Sequence, residues 1–456
     1  ETEKLLGTWI DIPTGQLLKT AQAELNDSAQ ALIREVWRDV THAKKLPSAF
    51  VNTLERECSL AQQVWIEARK KNDFALFLPN LRKVVDLKLK ETEYLGYAAS
   101  PYDALLDEYE PGSTVAKLTP LFSTLRPRLV TLLQQVRNSS IKPNTSLLSQ
   151  PFENDKQVEF GKMILSKMGY QFDRGRLDLS AHPFTTSFHP HDVRVTTRVF
   201  ERDFQSCLFS CIHEGGHGLY EQGLLAEHYG TPLGEAVSLG IHESQSRLWE
   251  NAVGRSRPFW QHVFPLAQEF FPSQLHDVSF DEFYLAINHV EPSLIRVEAD
   301  ELTYNLHVMV RFEIELDLIE GRIQVEDLPA IWNEKMHTYL GMTPDSDSTG
   351  VLQDVHWSFG AFGYFPTYTL GNLYASMFYE QAKQEMSNLE AEISEGQLIP
   401  LKTWLNQKIH RWGRQLPPDD LVRQVTGQSP SPEPFLNYLE EKFSTLYGFS
   451  IDSSTA

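Results

Sequence analysis

The sequence predicts a mainly α-helical protein with one small β-sheet next to its candidate site, and three observations carry that prediction. Apolar residues return at the 3.6-residue helical period through most of the chain. Only one stretch alternates with period two. No internal repeat, phosphate-cradling glycine loop or Gly-x-Ser-x-Gly elbow points to a solenoid or an α/β fold. Nor does any Gly/Ser/Pro-rich linker divide the 456 residues, so 1–456 is expected to be a single domain.

Taken in order, Leu18, Ala21, Leu25, Ala29, Leu32, Val36 and Val40 trace one apolar stripe, and Val51, Leu54, Cys58, Ala61, Trp65 and Ala68 trace a second. Such stripes are core faces. Further helices are expected over Leu76 to Tyr94, Val115 to Asn138, Asn154 to Met168, Phe204 to Gln222, Glu235 to Val253, Pro258 to Phe271, Phe280 to Asn288, Ala299 to Glu320, Ala375 to Glu392 and Leu401 to Arg414. Several stop at Gly or Pro, as at Gly321. The strand signal runs from Ser187 to Val199, where Val193, Val195 and Thr197 alternate with Arg194, Thr196 and Arg198 after the turn-prone His182-Pro183-Phe184. A short sheet there lies just before the Phe204 to Gln222 helix.

Composition narrows the function classes. With 41% hydrophobic and 22% charged residues, the chain has the material for a sizeable soluble core. No window approaches the ~18 uncharged apolar residues of a membrane span. The formal charge of −20 argues against nucleic-acid binding, which needs Lys and Arg gathered on one face. Three cysteines, Cys58, Cys207 and Cys211, are too few to staple this length and fit a reducing compartment. The chain opens Glu-Thr-Glu-Lys, with neither an apolar signal core nor an Arg-rich transit pattern, so a cytoplasmic location is expected. Without a secretory signal, the sequons at Asn26, Asn138 and Asn144 carry little weight. Cys207 and Cys211 lie one turn apart ahead of His213; a thiolate site is open there, although small buried thiols are common packing residues in helices.

The chemistry gathers at His213-Glu214-Gly215-Gly216-His217, an H-E-x-x-H inside the Phe204 to Gln222 helix. Residues four apart stack on one helix face, about 6 Å apart, so both imidazoles can reach one zinc while Glu214 holds a water beside it. A catalytic zinc takes a third protein ligand and keeps one position open. The carboxylates downstream are Glu221, Glu227, Glu235, Glu243 and Glu250. Glu221 sits one turn on, with an awkward reach back. Glu235 falls at a helix start, where the dipole already explains an acidic residue. Glu243 lies mid-helix, where a packed neighbour could aim it inward; it is preferred, and Glu235 stays open. The two glycines each cost a helix interior up to ~1 kcal/mol relative to Ala, so something approaches closely there, either a substrate or a neighbouring helix.

Other stretches occur around this motif in a recognisable order. They are His182-Pro183-Phe184, Asp192-Val193-Arg194-Val195-Thr196, His242-Glu243-Ser244-Gln245, Ile295-Arg296-Val297-Glu298-Ala299-Asp300 and Gly350-Val351-Leu352-Gln353-Asp354-Val355-His356-Trp357. Pro101-Tyr102-Asp103-Ala104-Leu105-Leu106-Asp107 and Gly363-Tyr364-Phe365-Pro366-Thr367-Tyr368 are also in place. From about residue 75 onward, the set resembles the signature motifs of the thermostable metallocarboxypeptidases of the Taq carboxypeptidase type. The resemblance implies an all-α fold like that of neurolysin and angiotensin-converting enzyme, with two helical lobes flanking a long groove and the metal at its floor. It implies removal of single residues from peptides with a free C-terminus, broad specificity, poor cleavage of C-terminal Pro, zinc or sometimes cobalt as cofactor, and a homodimer. By motif, it makes His213, His217 and Glu243 the metal ligands and Glu214 the general base.

An enzyme of that kind needs two further groups. The oxyanion of a tetrahedral intermediate needs a donor, each such bond being worth ~3 kcal/mol. His356, Tyr364 and Tyr368 are the candidates, in one aromatic stretch whose bland reading is a buried loop. The terminal carboxylate suits the planar fork of an arginine. Arg296 is the first choice and Arg194 the second, with Arg311 also near the motifs, and each is equally suited to an ordinary ion pair with Asp192, Glu298 or Asp300. His242, Gln353 and Asp354 are expected to orient a ligand imidazole through its other nitrogen. Two other readings remain. One is a zinc oligopeptidase or dipeptidyl carboxypeptidase with a different groove end; the other is a non-catalytic helical binding protein with a degenerate metal site.

Overall fold

Helix starts are set by short polar side chains that take a free N–H, and this punctuation lays out the first part of the chain. The computed structural model describes residues 26–451. Asn26 accepts from Ala29 N to cap α1 (Asp27–Lys45). The next helix, α2 (Ser48–Lys71), stops at Asn72, which adopts the left-handed conformation with φ 55°. Asp73 then caps α3 (Phe74–Leu95), and Ser100 and Asp103 form a capping box on α4 (Pro101–Tyr109). Thr114 caps α5 (Val115–Asn138), and Gly169 closes α6 (Asn154–Met168).

Leu18, Ala21 and Leu25 of the first expected stripe lie outside the described residues. On α1 the buried residues are Ala31, Glu35 and Val40, a face rotated from the expected one, and Val36 is exposed. Glu35 is drawn in by Arg414 at 3.1 Å, so charge pairing rather than apolarity sets that face. In α2, Cys58, Ala61, Trp65 and Ala68 are buried as the second stripe predicts.

The alternating stretch forms a hairpin rather than one strand. β2 (Thr185–His189) and β3 (Asp192–Thr197) run antiparallel, parted at Pro190-His191, because Pro lacks the N–H a ladder needs. Ahead of them β1 (Gly175–Leu179), too short to give a periodic signal, pairs parallel to β3, which gives the order β1-β3-β2. Helix α7 (Phe204–Gly223), capped by Asp203, lies on this sheet with Gly218 close against Val195. Ser238 caps α8 (Leu239–Arg247), which starts later than the expected Glu235 and runs on as a π-helical turn, Leu248–Val253.

The remaining helices are α9 (Arg257–Phe270), α10 (Pro272–Leu275), α11 (Phe280–Ile287), α12 (Tyr304–Ile319), α13 (Leu328–Leu340), α14 (Phe365–Glu385), α15 (Leu389–Ser394), α16 (Ile399–Lys408), α17 (Pro418–Thr426) and α18 (Glu433–Tyr447). Helices α10, α13, α17 and α18 lie outside the stretches the sequence predicts, and three others differ from their expected bounds for local reasons. Asp300 Oδ1 accepts the N–H groups of Leu302 and Thr303 in a turn, so α12 begins after Ala299. Helix α14 starts at Phe365, well ahead of Ala375, because it is buried on nearly every side and therefore shows no stripe. The run expected to reach Arg414 breaks after Lys408, and Gly413 (φ 47°) interrupts the 3₁₀ turn that follows. Among the described residues the architecture is all-α with a single three-stranded sheet, and no helix is long and apolar enough to cross a membrane.

Helix α8 sits between α7 and α14 at backbone distance. A Cβ on Gly216 would lie 2.6 Å from Gln245 O and Ser246 Cα, and one on Gly371 would lie 2.5 Å from Glu243 Cγ. Glu110, at the end of α4, accepts Gly240 N at 2.8 Å and so pins the first turn of α8.

Candidate metal centre

His213 and His217 stand one turn apart on α7, with ring centroids 4.9 Å apart, and α8 brings Glu243 to meet them. Glu243 Oε2 lies 3.7 Å from His213 Nε2 and 3.4 Å from His217 Nε2. Ligand atoms on a tetrahedral zinc with ~2.05 Å bonds are about 3.3 Å apart, so this donor set fits such an ion. The motif glycines make the meeting possible. Gly216 lets the α8 backbone in, and Gly215 faces the Leu165 side chain of α6, so the close approach is helix packing rather than substrate.

Each prospective ligand is held from behind. His213 Nδ1 donates to Glu250 Oε2 at 2.8 Å, which leaves its Nε2 lone pair facing the site. His217 Nδ1 meets His242 Nδ1 at 2.6 Å, and His242 Nε2 meets Glu221 Oε1 at 2.8 Å. Since Glu221 accepts from His242, a neutral His242 accepts from His217, and the Nε2 of His217 is again left free. Arg247 donates Nε to Glu243 Oε1 at 2.7 Å and Nη1 to Glu250 Oε2 at 3.1 Å. Ser246 Oγ donates to Glu243 Oε2 at 3.0 Å.

The electrostatics suit a cation. Burial alone would raise the pKa of Glu243, but Arg247 and the two imidazoles outweigh it and hold the carboxyl well below its usual range. Glu250 is likewise brought down to about 2, burial being overcome by Arg247 and His213. Burial lowers the pKa of His217; it also opposes charging His213, whose pKa is nevertheless raised by Glu243 and Glu250. Glu214 is buried beside the triad, and Thr185 Oγ1 of β2 donates to its Oε2 at 2.7 Å and lies 3.0 Å from its backbone oxygen. The hairpin is thus what fixes Glu214.

His356, Tyr364 and Tyr368 come together. His356 Nε2 is 3.4 Å from the Tyr368 hydroxyl, and the Tyr364 ring lies 5.3 Å from both the His356 and the Tyr368 rings. Burial lowers the His356 pKa to about 4 and raises both tyrosines, so at neutral pH all three are uncharged hydrogen-bond donors. Arg296 joins this group: its Cζ is 5.1 Å from the Tyr368 ring, and Nε and Nη2 both donate to Asp354 Oδ1. Arg311, fully buried, holds the other oxygen of Asp354 at 2.7 Å through Nε. Arg194 is apart from them, exposed, in a two-point pair with Asp192, on the face of β3 opposite to buried Val193 and Val195.

Several expected roles are placed differently. Gln353 and Asp354 touch no ligand imidazole; Gln353 accepts the Arg296 backbone N–H, and Asp354 serves the two arginines. Glu235 is exposed and paired with Arg414. Cys207 and Cys211 are free and buried, with Cys211 packed on Gly161 of α6. Arg247, Glu250, Thr185 and Glu315 carry structure around the site that the sequence reading did not assign. The first two were readable, since Glu243, Arg247 and Glu250 are spaced four and three apart on one face. Thr185 depends on the unforeseen hairpin. Glu315, buried on α12, accepts from Tyr102 Oη (2.6 Å), Trp357 Nε1 (2.8 Å) and Gly363 N (2.9 Å), and so ties down the segment bearing His356 and Tyr364.

Comparison with known proteins identifies the family. The profile of the Carboxypeptidase Taq (M32) metallopeptidase family matches residues 8–443. Thermostable carboxypeptidase 1 of Thermus thermophilus is 47% identical over 98% of this chain and 89% of its own length, and carboxypeptidase 1 of Bacillus subtilis is 42% identical over 93% and 85%. The crystal structure of the M32 carboxypeptidase from Deinococcus radiodurans superposes with a TM-score of 0.93 at 40% identity, covering 97% of this chain and 90% of that one. These matches leave no room for a non-catalytic scaffold. A His-His-Glu donor set beside a buried glutamate, on a fold shared almost end to end with carboxypeptidases, places this chain in the Carboxypeptidase Taq (M32) metallopeptidase family, as a metallocarboxypeptidase.

Proposed function

We propose that this enzyme removes one residue at a time from peptides with a free C-terminus, with broad specificity and poor cleavage of terminal Pro, using zinc or cobalt held by His213, His217 and Glu243. It works as a cytoplasmic homodimer formed from single-domain chains, two helical lobes of which flank the peptide groove. When bound, the ion supplies a Lewis acid and lowers the pKa of a water into the neutral range. Glu214 takes the proton of the attacking water and passes it to the leaving amine, with Thr185 holding the carboxylate in line. His356, Tyr364 and Tyr368 donate to the oxyanion that develops on the former carbonyl.

The observation that carries the exopeptidase reading is the charge balance at Asp354. Two buried guanidiniums, Arg296 and Arg311, share one carboxylate, leaving a positive charge uncompensated inside the protein. Arg296 donates from Nε and Nη2 to Asp354 and from Nη1 to Tyr304 Oη, which leaves one N–H on each Nη. A terminal carboxylate supplies the missing negative charge and meets both in a fork. Arg311 holds Asp354 from behind, and Arg194 stands outside this cluster.

Mass spectrometry of a peptide digest with added zinc or cobalt tests the reading. Successive loss of single C-terminal residues is expected, with C-terminally amidated peptides cut far more slowly. Equal rates for the acid and the amide would instead mark an oligopeptidase.

A further inference from the structure

Arg247 and Tyr304 are neither metal ligands nor groups assigned to substrate, yet they join the two regions. Arg247 is mostly buried and grips Glu243 directly and His213 through Glu250, so one guanidinium steers two of the three ligands. Its Cζ sits over the Tyr304 ring, 4.4 Å from the centroid. Tyr304 is buried and opens α12, so a helix fixes the ring. On its far side the same tyrosine's hydroxyl accepts Arg296 Nη1 at 3.0 Å, and its ring meets Tyr368 edge-on at 6.0 Å.

We propose that Tyr304 is a positioning residue that couples Arg296 to Arg247, so that the metal-ligand geometry and the recognition of the terminal carboxylate are set together. The inference rests on Arg296 being the carboxylate receptor. The ring under Cζ limits where the guanidinium can sit, and that position decides whether Nε and Nη1 reach Glu243 and Glu250 together. A carboxylate engaged by Arg296 fixes the guanidinium whose Nη1 already donates to the Tyr304 hydroxyl, and so steadies the ring beneath Arg247. A substrate without that carboxylate leaves the ring looser, and therefore loses kcat as well as KM.

The test separates the two halves of the bridge. Tyr304→Phe keeps the ring under Arg247 and removes the hydroxyl; Tyr304→Leu removes both. Zinc affinity of the metal-stripped proteins is measured by competition with a chromophoric chelator, and kcat and KM on a free-acid and an amidated peptide.

Tyr304→Leu is expected to lower zinc affinity about 10- to 100-fold, the usual effect of an outer partner of a ligand. Adding Arg247→Gln to it is expected to cost no more than Arg247→Gln alone, since both cut one link. Tyr304→Phe is expected to keep zinc affinity within about two-fold while losing kcat/KM on the free acid alone. Wild-type zinc affinity in Tyr304→Leu, additive losses in the double variant, or unchanged free-acid kinetics in Tyr304→Phe would each overturn the coupling. Arg296→Ala is the separate control: if it leaves the preference for acid over amide intact, the receptor assignment fails, whatever Tyr304→Leu does to zinc.

Discussion

Replacing Gly216 by alanine is expected to loosen the metal centre through the helix behind it. The new Cβ would stand 2.6 Å from Gln245 O and Ser246 Cα, both backbone atoms, about 0.8 Å inside an ordinary 3.4 Å contact. Helix α8 cannot yield by rotating a side chain, and its other face is already against Gly371 of α14. It must slide, and Glu243 moves with it. Metal bonds tolerate roughly ±0.2 Å, so a shift of that size takes Oε2 out of range of an ion shared with His213 and His217. Alanine gains ~1 kcal/mol of helix propensity over glycine, while overpacking costs ~1–3 kcal/mol, so global stability falls by about 2 kcal/mol at most. Zinc affinity is expected to fall tenfold or more, about 1.4 kcal/mol. Chelator competition and thermal melting read the two effects separately. Gly215→Ala is the control, because its Cβ meets only the ends of the flexible Leu165 and Met168 side chains, which can move aside, and no backbone atom. If Gly216→Ala binds zinc like the wild type while Gly215→Ala does not, the account of how α8 delivers Glu243 is wrong.

Other expectations concern the base, the third ligand and pH. Glu214→Gln is expected to retain zinc and lose most turnover, whereas Glu243→Ala loses the zinc and Glu235→Ala does not; metal analysis beside a peptidase assay distinguishes the three. Burial raises the pKa of both Glu110 and Glu315 from 4.5 to about 7 in the folded chain, against the donors each accepts. The native state therefore binds these protons more tightly than the unfolded one. That stabilisation is complete below pH 4.5 and is lost as pH rises through about 7, at up to about 3 kcal/mol per group. Denaturant unfolding of the metal-free protein across this window is expected to show the decline, and Glu110→Gln or Glu315→Gln to flatten it.

What the sequence showed and what it hid divide along physical lines. The spacing of His213 and His217 is a helical fact, and α7 forms where it was expected. The bounds of α5 and α6 agree with expectation because each has one apolar face and a clear stop. Helix α14 was displaced because a helix buried all round has no periodicity to read. The hairpin reads as a single strand in the sequence because its turn is only Pro190-His191 and lacks the Gly or Asn that marks most two-residue hairpin loops. Thr185 was missed with it, its contact being a matter of how the sheet lies on α7. Glu35 misled the reading of α1 because a buried charge follows its partner, Arg414, from the other end of the chain.

The order in which the parts of this site occur along the chain has a consequence for the enzyme's birth. The three prospective donors and Glu214 all lie between residues 213 and 243, while His356, Tyr364, Tyr368 and the bracing Gly371 come more than a hundred positions later. A ribosome that has released only the first of these groups has made a segment that carries the prospective metal ligands but lacks the Gly371 surface on which α8 rests and the residues proposed to donate to the oxyanion. On the proposed roles, hydrolysis is expected only once the chain has been made through Gly371, and a product ending before His356 is expected to be inert toward peptides.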